Sequence, residues 1–527
     1  MKTAGERAPE RARVAAERAV GPRGWAAWFG DSWLGPALLT PVVLAVQGYH
    51  PLAGDAGIYV AGVRHVLDPK LYPLNAAFVT AFTRLSAFAW AMAAVVRLLH
   101  VKLEWVLLGA YLLSAWLLLE ACRQAARRLF EDGQARGYAV LLAAGCFTLP
   151  VAGTALFVMD PYVTARSLST PLGLLAVTAC MDRAWVRMGL LLAATAAVHP
   201  LMAVYTAAFV LLYGLGAAGR WRTAGGICLT GLAACGAAFA AAHGMRGAEA
   251  TAAYRQCVGL APRRFLFLWR WRWYEMLGLA LPLALMGLTA RRWGWRSRVG
   301  TVCGTSILVG STSVLIAALF VPANGPYLLV PVQVLRSFHL IYVLGVVLCG
   351  GAVAALGRHW PAAGVAVVGL VFAGMALAEG ASWSGCRRLE LPGLKPVNPY
   401  VQAFLWVRGH TPQDAVFAFN PRLDYRRDED EQGFRAIAER DQLADDKDAG
   451  VAAVIPRLAP RWARQRNAEL RVDSMTDAER LAVLRPLGAT WVMLRAGTPT
   501  TLPCPYANSV VRVCRLQPPS AAAATGR

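Results

Sequence analysis

Gly48-Tyr49-His50-Pro51-Leu52-Ala53-Gly54-Asp55-Ala56-Gly57-Ile58-Tyr59, running on through Arg64 to Asp68-Pro69-Lys70-Leu71-Tyr72-Pro73, follows directly on the first strongly apolar run of the chain. It gathers carboxylates, a histidine and tyrosines beside what reads as a membrane surface. From Asp55 onward Ile58, Tyr59, Gly62, Val63 and Val66 fall on one helical face, with Arg64 and His65 off it. Two roles for Asp55 stay open. It is a preferred helix N-cap residue type, and it is also a carboxylate at the head of an amphipathic helix just outside a membrane span, where a catalytic base would sit. The roles compete, because a carboxylate that accepts backbone N–H bonds becomes a weaker base.

Outward from this stretch, composition sets the class. The 527 residues are 57% hydrophobic with a mean hydropathy of +0.43. Apolar runs of about 20 residues, the length a helix needs to cross a bilayer, recur from Trp33 to Ala378. These imply a polytopic α-helical membrane protein. The formal charge of +22 does not imply a nucleic-acid partner, because the basic residues cluster in short loops between apolar runs, as cytoplasmic loops require.

Those clusters orient the chain. Residues 1–31 read as a basic cytoplasmic tail. Their length and the acidic residues Glu6, Glu10 and Glu17 argue against a signal or transit peptide. Span 1 (Trp33 to Gln47) then ends outside. Thr80 to His100 reads as an interfacial helix within an outer loop, 49–102. As a span it would force Arg123, Arg127 and Arg128 outside. Leu103 to Ala121 becomes the inward span 2. Alternation continues to about eleven spans within residues 32–380. That arrangement leaves residues 381–517 as a small extracytoplasmic α/β domain and 518–527 as a disordered tail. In that domain Ala415 to Phe419, Trp491 to Leu494 and Val510 to Leu516 read as strands. Phe434 to Leu443 and Asp477 to Leu487 read as helices. The acidic groups Asp428 to Glu431 and Asp445-Asp446-Asp448 read as solvated loops rather than cation ligands. The cysteines form no metal framework. Cys504 and Cys514 flank a turn and are a candidate disulfide in an oxidising compartment.

The topology puts several polar features on the outer face. They are Asp55, Asp160-Pro161-Tyr162 with Arg166, His199-Pro200, the Arg/Trp run containing Arg270, Gln333 with Arg336, and His339. Ionisable residues at membrane depth are costly and mark functional sites. Each has a structural alternative. Asp160-Pro161 fits an N-cap/N1 pair. His199 can satisfy groups freed by the proline kink. The Arg/Trp run fits an interfacial belt. Arg336 stands at the head of an apolar span, and Arg is the side chain suited to bidentate phosphate contact.

Together these features resemble the GT-C integral-membrane glycosyltransferases. The shared architecture is an inside N-terminus, a long first outer loop with an acidic residue and interfacial helices, many spans and an outer C-terminal domain. Locally, Thr80 to Phe130, Leu168-Ser169-Thr170-Pro171-Leu172, Ala197-Val198-His199-Pro200 and His410-Thr411-Pro412 are similar to segments of that family. The resemblance implies sugar transfer from a polyprenyl-phosphate donor to a glycan, lipid or protein acceptor. It casts Asp55 and Asp160 as catalytic carboxylates. Arg336, Arg166, Arg270, His199, His339, Tyr59 and Gln333 become substrate-binding residues. Family members carry paired acidic residues in the first loop, whereas Asp55 stands between Gly54 and Ala56, so no metal ligand set is assigned and a divalent cation stays open. A non-catalytic membrane scaffold or lipid-binding protein is the alternative function. A transporter fits less well, since no inverted repeat is visible.

Overall fold

The computed structural model describes residues 25–243, 251–383, 386–423 and 433–517. The acidic group Asp428 to Glu431 and the tail from Pro518 lie outside the described residues. Helix α1 (Trp25–Asp31) meets α2 (Leu34–Gln47) at a bend of 103°. In the first loop come α3 (Ala56–Leu67), the short α4 (Ala76–Val79) and α5 (Phe88–Leu99). The apolar body follows as α6 (Leu103–Leu129), α7 (Gly133–Gly145), α8 (Ala165–Met181), α9 (Trp185–Val198), α10 (Pro200–Ala217) and α11 (Trp221–His243). After α12 (Ala252–Gly259) it resumes with α13 (Trp273–Trp293), α14 (Arg298–Phe320), α15 (Phe338–His359) and α16 (Pro361–Ser382).

The protein is a helical membrane protein. Among the described residues seven helices are long and apolar enough to cross a bilayer, or eight if the bent α1–α2 pair counts as one. Each of the eleven apolar runs read from the sequence contains a helix, but α2, α7 and α9 have 14, 13 and 14 residues and α8 has 17. At 1.5 Å per residue these reach only about 20–26 Å, short of a hydrocarbon core of about 30 Å. The run from Tyr138 to Val158 shows why. Its helix ends at Gly145, and the remainder is turns closed by a bridge between Pro150 and Phe157. Helix α5, with 12 residues, is likewise too short to span, in line with its reading as a non-spanning segment.

Close helix contacts rest on small residues. Any Cβ at Gly137 would run into the Ala26 backbone, so glycine there lets α1 lie directly on α7. By contrast, only 6% of the apolar window of α11 is buried within the protein, the pattern of a helix whose surround is lipid.

The C-terminal region contains α17 (Pro399–His410), α18 (Phe434–Ala438), α19 (Asp448–Val454), α20 (Ala459–Glu469) and α21 (Asp477–Leu484) around one five-stranded sheet. Its strands are β1 (Val416–Ala418), β2 (Asp441–Gln442), β3 (Trp491–Arg495), β4 (Tyr506–Ala507) and β5 (Val511–Arg515), in the order β2-β1-β3-β5-β4. β1 runs parallel to β2 and β3, while β5 is antiparallel to β3 and β4. Strand alternation sends Trp491 and Met493 to a core with Phe404, Phe417 and Phe434. Val492 and Leu494 go to the other, with Leu443, Val472 and Leu484. All three expected strands are present, and Cys504 and Cys514 are joined as a disulfide. The expected helix from Phe434 to Leu443 stops at Ala438, because Glu439 turns left-handed (φ 52°) and Asp441 joins the sheet.

A buried polar seam fastens this region to the first loop. Asp441 accepts hydrogen bonds from the backbone N–H groups of Leu74 (2.7 Å) and Asn75 (2.8 Å), and the Tyr72 hydroxyl donates to the Arg435 carbonyl (2.8 Å). Here the sequence expectation for Asp445, Asp446 and Asp448 is corrected. All three are buried rather than solvated. Asp448 pairs with Arg435 at 2.9 Å and Asp446 with Arg466 at 2.7 Å. A run of like charges becomes tolerable inside because each carboxylate finds a guanidinium or backbone donors.

Candidate functional site

Gly54 (φ 48°) makes the turn that delivers Asp55 to the head of α3. The left-handed backbone favours glycine, and a Cβ there would meet the Tyr162 hydroxyl. Asp55 is the N-cap residue by position, yet its side chain makes no capping hydrogen bond. Its carboxylate instead faces cations: Lys447 Nζ lies 3.1 Å from Oδ1 and Arg166 3.6 Å from Oδ2. The side chain keeps 35% of its surface open. Burial pushes its pKa up, but Lys447, Arg166 and Arg336 overcome that and hold the carboxyl well below the usual range.

Arg166 is the hub. It lies in the first turn of α8 and bonds Asp160 at 2.5 Å while also facing Asp55. Asp160 is not a helix cap. The helix begins at Ala165 behind Thr164, whose N–H donates to the Ser167 hydroxyl at 3.1 Å, and Asp160 sits in the preceding loop. With only 4% of its side chain exposed, Asp160 has its pKa raised by burial against the pull of Arg166. The two carboxylates therefore differ. Asp55 is open and firmly ionised, and Asp160 is enclosed and more basic.

Arg336 faces the same cluster from the 3₁₀ turn before α15, close enough to act electrostatically on both Asp55 and Asp160. Among the described residues it has no carboxylate in ion-pair contact. Its guanidinium lies over the Phe265 ring, 5.3 Å from the centroid, and its Nε is buried without a hydrogen-bond partner. Beside it Gln333 takes a left-handed conformation, and its backbone carbonyl accepts the Tyr205 hydroxyl at 3.0 Å. Arg336, Gln333 and Phe265 line a cavity of about 20 Å³, the size of a water molecule.

The other predicted residues divide. Tyr59 lies one turn along α3 from Asp55, stacked on Phe82 (5.6 Å), within the field of Asp55, Asp160, Arg166 and Arg336. Burial pushes its hydroxyl up to about 12. His199 and His339 both feel Arg166 and Arg336 but have structural work. His199 Nδ1 accepts the Met202 N–H (3.4 Å) as the N-cap of α10. His339 Nε2 reaches the carbonyls of Phe157 and Val158 at 3.0 Å each, fixing the loop that carries Asp160. Arg270 is not brought to the cluster. It is exposed and lies over the Phe267 ring at 5.1 Å. It ends the 3₁₀ helix Leu268–Arg270, whose Leu268 is buried while Arg270 itself is exposed.

Lys447 is the residue that sequence reasoning missed. It sits between Asp446 and Asp448, and those neighbours made the whole segment look solvated. Its signal was the lone cation inside an acidic run. The site therefore holds two carboxylates and three cations: Arg166 between the carboxylates, Lys447 on one, and Arg336 on neither. The surplus of one positive charge suits an anion. Asp55 and Asp160 could ligate a divalent cation only by displacing Arg166 from between them. Among the described residues no group of three His, Cys, Asp or Glu has metal-binding geometry. Neither the models of known protein families nor the curated proteins yield a match to this chain.

Proposed function

We propose that the chain is a membrane glycosyltransferase of GT-C type, moving a sugar from a polyprenyl-phosphate donor to an acceptor at the outer face of the cell membrane. The observation that carries this reading is the carboxylate-free guanidinium of Arg336, buried beside Asp55 and Asp160. A phosphate monoester or diester offers the pair of oxygens that such a planar guanidinium contacts bidentately.

The chemistry follows from the charges. An acceptor hydroxyl attacks the anomeric carbon, a new C–O bond forms, and the bond to the donor phosphate oxygen breaks. The hydroxyl proton passes to a carboxylate, and the departing phosphate keeps the electron pair. Asp55, open to the recess, is the base. Asp160 positions Arg166 and is the alternative base. Lys447 and Arg336 turn to the phosphate when the donor arrives. That draws cations off Asp55 and raises its basicity at the moment a base is needed. The water-sized space beside Arg336 requires these side chains to swing apart first.

One observation favours the non-catalytic alternative. Asp55 is fully paired and firmly ionised, as in a scaffold whose ion pairs only dock two domains. A single experiment separates the readings. The purified, reconstituted protein is given a radiolabelled polyprenyl-phosphate sugar and membrane-derived acceptors. Transfer that is lost in Asp55→Asn and Arg336→Met, with folding retained, supports the enzyme. Donor binding with no product from the wild type supports the scaffold.

A further inference from the structure

We propose a second binding site, distinct from the Asp55 cluster, that holds the headgroup of an anionic phospholipid. A cavity of about 180 Å³ opens between the first loop, the segment 387–397 that follows α16, and the flank of α17. Arg64, on its wall, lies nine residues along α3 from Asp55, about 13 Å at helical rise. None of Asp55, Asp160, Arg166, Arg336 or Lys447 lines it, so the cavity is separate from the site described above.

The charges around it are unbalanced. Glu104 and Glu439 are engaged by Arg64 and Arg408, the latter 2.8 Å from Glu439. Glu390 faces His50 at 3.4 Å. That leaves Arg387 and Lys395, two exposed side chains that line the cavity and have no ion-pair partner among the described residues. Two unpaired cations at the mouth of the cavity, beside carboxylates already engaged, give it a net positive rim that suits an anion.

The walls specify what carries that anion. Leu52, Leu391 and Leu405 face the cavity. At its lip Leu394 and Val397 remain 50% and 55% exposed. Such apolar exposure next to unpaired cations is unfavourable in water but matches the junction of a phosphate headgroup with its hydrocarbon chains. The segment begins a few residues after α16, an apolar helix of membrane length, so it lies at the depth of lipid headgroups. The volume suits a phosphate and the first carbons of the chains, with the rest in the bilayer. A soluble phosphate would make no use of the apolar lip, and a protein partner would not need the enclosed pocket.

The full chain in detergent, delipidated and then titrated with phosphatidylglycerol or phosphatidylcholine micelles, tests this by native mass spectrometry. The wild type retains phosphatidylglycerol at least about tenfold better than phosphatidylcholine, since each basic side chain near a headgroup contributes appreciably. The double variant Arg387→Glu/Lys395→Glu abolishes that preference, and so does Leu52→Trp, which fills the cavity without touching a charge. Both variants elute as monodisperse as the wild type. Equal retention of the two lipids by the wild type, unchanged preference in both variants, or complete displacement of the lipid by excess inorganic phosphate overturns the proposal. None of these outcomes depends on glycosyl transfer.

Discussion

Lys447, carried by the C-terminal domain, places its ammonium 3.1 Å from Asp55 in the first loop, so the candidate site is complete only when the two regions are docked. The contact has a pH consequence. Asp55 has a folded-state pKa below its unfolded value of about 3.9, so it stabilises docking fully above that value. The contribution is lost as pH falls through the folded pKa. Lys447→Met removes the nearest cation. The Asp55 carboxyl then titrates at higher pH, and the acid limb of any transfer activity moves up with it. Activity profiles carried down to the acid limit at which each protein stays folded check this. An unshifted acid limb in the variant means that Lys447 does not set the charge state of Asp55.

Asp55→Asn tests the base directly. The amide is nearly isosteric, and no capping bond is lost because none exists. A base role predicts normal folding with transfer lowered about 10²–10⁴-fold. Undiminished transfer would transfer the role to Asp160, whose environment is the more basic one.

Arg336→Lys keeps the charge and loses the fork. If phosphate contact is bidentate, polyprenyl-phosphate binding weakens about tenfold or more while folding is unchanged. Arg336→Met should weaken it further. Isothermal titration with a short-chain polyprenyl phosphate reads both. Equal affinities for the wild type and the methionine variant would remove Arg336 from the binding site.

What was legible in the sequence is what depends on local pattern. Strand alternation at Trp491 to Leu494 and the apolar runs of α6, α10, α11 and α13–α16 depend on residues within one element, and they appear where the local pattern puts them. The convergence of Asp55, Asp160 and Arg336 was reachable from loop charge, because the bias of Arg123, Arg127 and Arg128 assigns sides. Lys447 was not legible. Its role depends on Asp445, Asp446 and Asp448 being buried against Arg435 and Arg466, a tertiary outcome that inverts the normal reading of a charge run. The short helices α7 and α9 were misjudged in length for a related reason. The run of α7 continues as turns beyond Gly145, and α9, largely exposed with Thr195 its one buried residue, gives way to α10 at His199-Pro200; hydropathy alone does not distinguish either from a full crossing.

Glu469 offers a test inside the C-terminal region. It is 2% exposed, and while one carboxylate oxygen accepts the Phe419 N–H at 3.0 Å, the other has no hydrogen-bond partner. Burial raises its pKa well above the usual value, against the Phe419 bond. For a carboxyl raised on folding, the folded state binds the extra proton. Stability is therefore greatest below the unfolded pKa and declines as pH rises toward the folded one. Glu469→Gln, which keeps the acceptor and carries no charge, should match the wild type near pH 4. At pH 8 it should melt higher, by an amount of the order of 1 kcal/mol. A thermal-shift comparison across that range checks it, and a variant that melts lower at pH 8 refutes the buried-acid account.

The last prediction concerns the side of the membrane on which the site lies. Arg123, Arg127 and Arg128 end α6, and the positive-inside rule puts that end in the cytoplasm. Helix α5 precedes α6 and is too short to cross, so its exposed Trp90 belongs to the opposite side, with Asp55. In a background with the exposed Cys349 and the partly exposed Cys146, Cys228, Cys235 and Cys386 replaced, Trp90→Cys should react with a membrane-impermeant maleimide on intact cells. Arg127→Cys, at an exposed position on α6, should react only after the membrane is opened. Loss of the Trp90 indole removes one hydrogen bond, to the Thr83 carbonyl at 3.2 Å, which leaves folding intact. Labelling of Arg127→Cys from outside would invert the topology, move Asp55, Asp160 and Arg336 to the cytoplasmic face and remove the basis for an outer-leaflet donor.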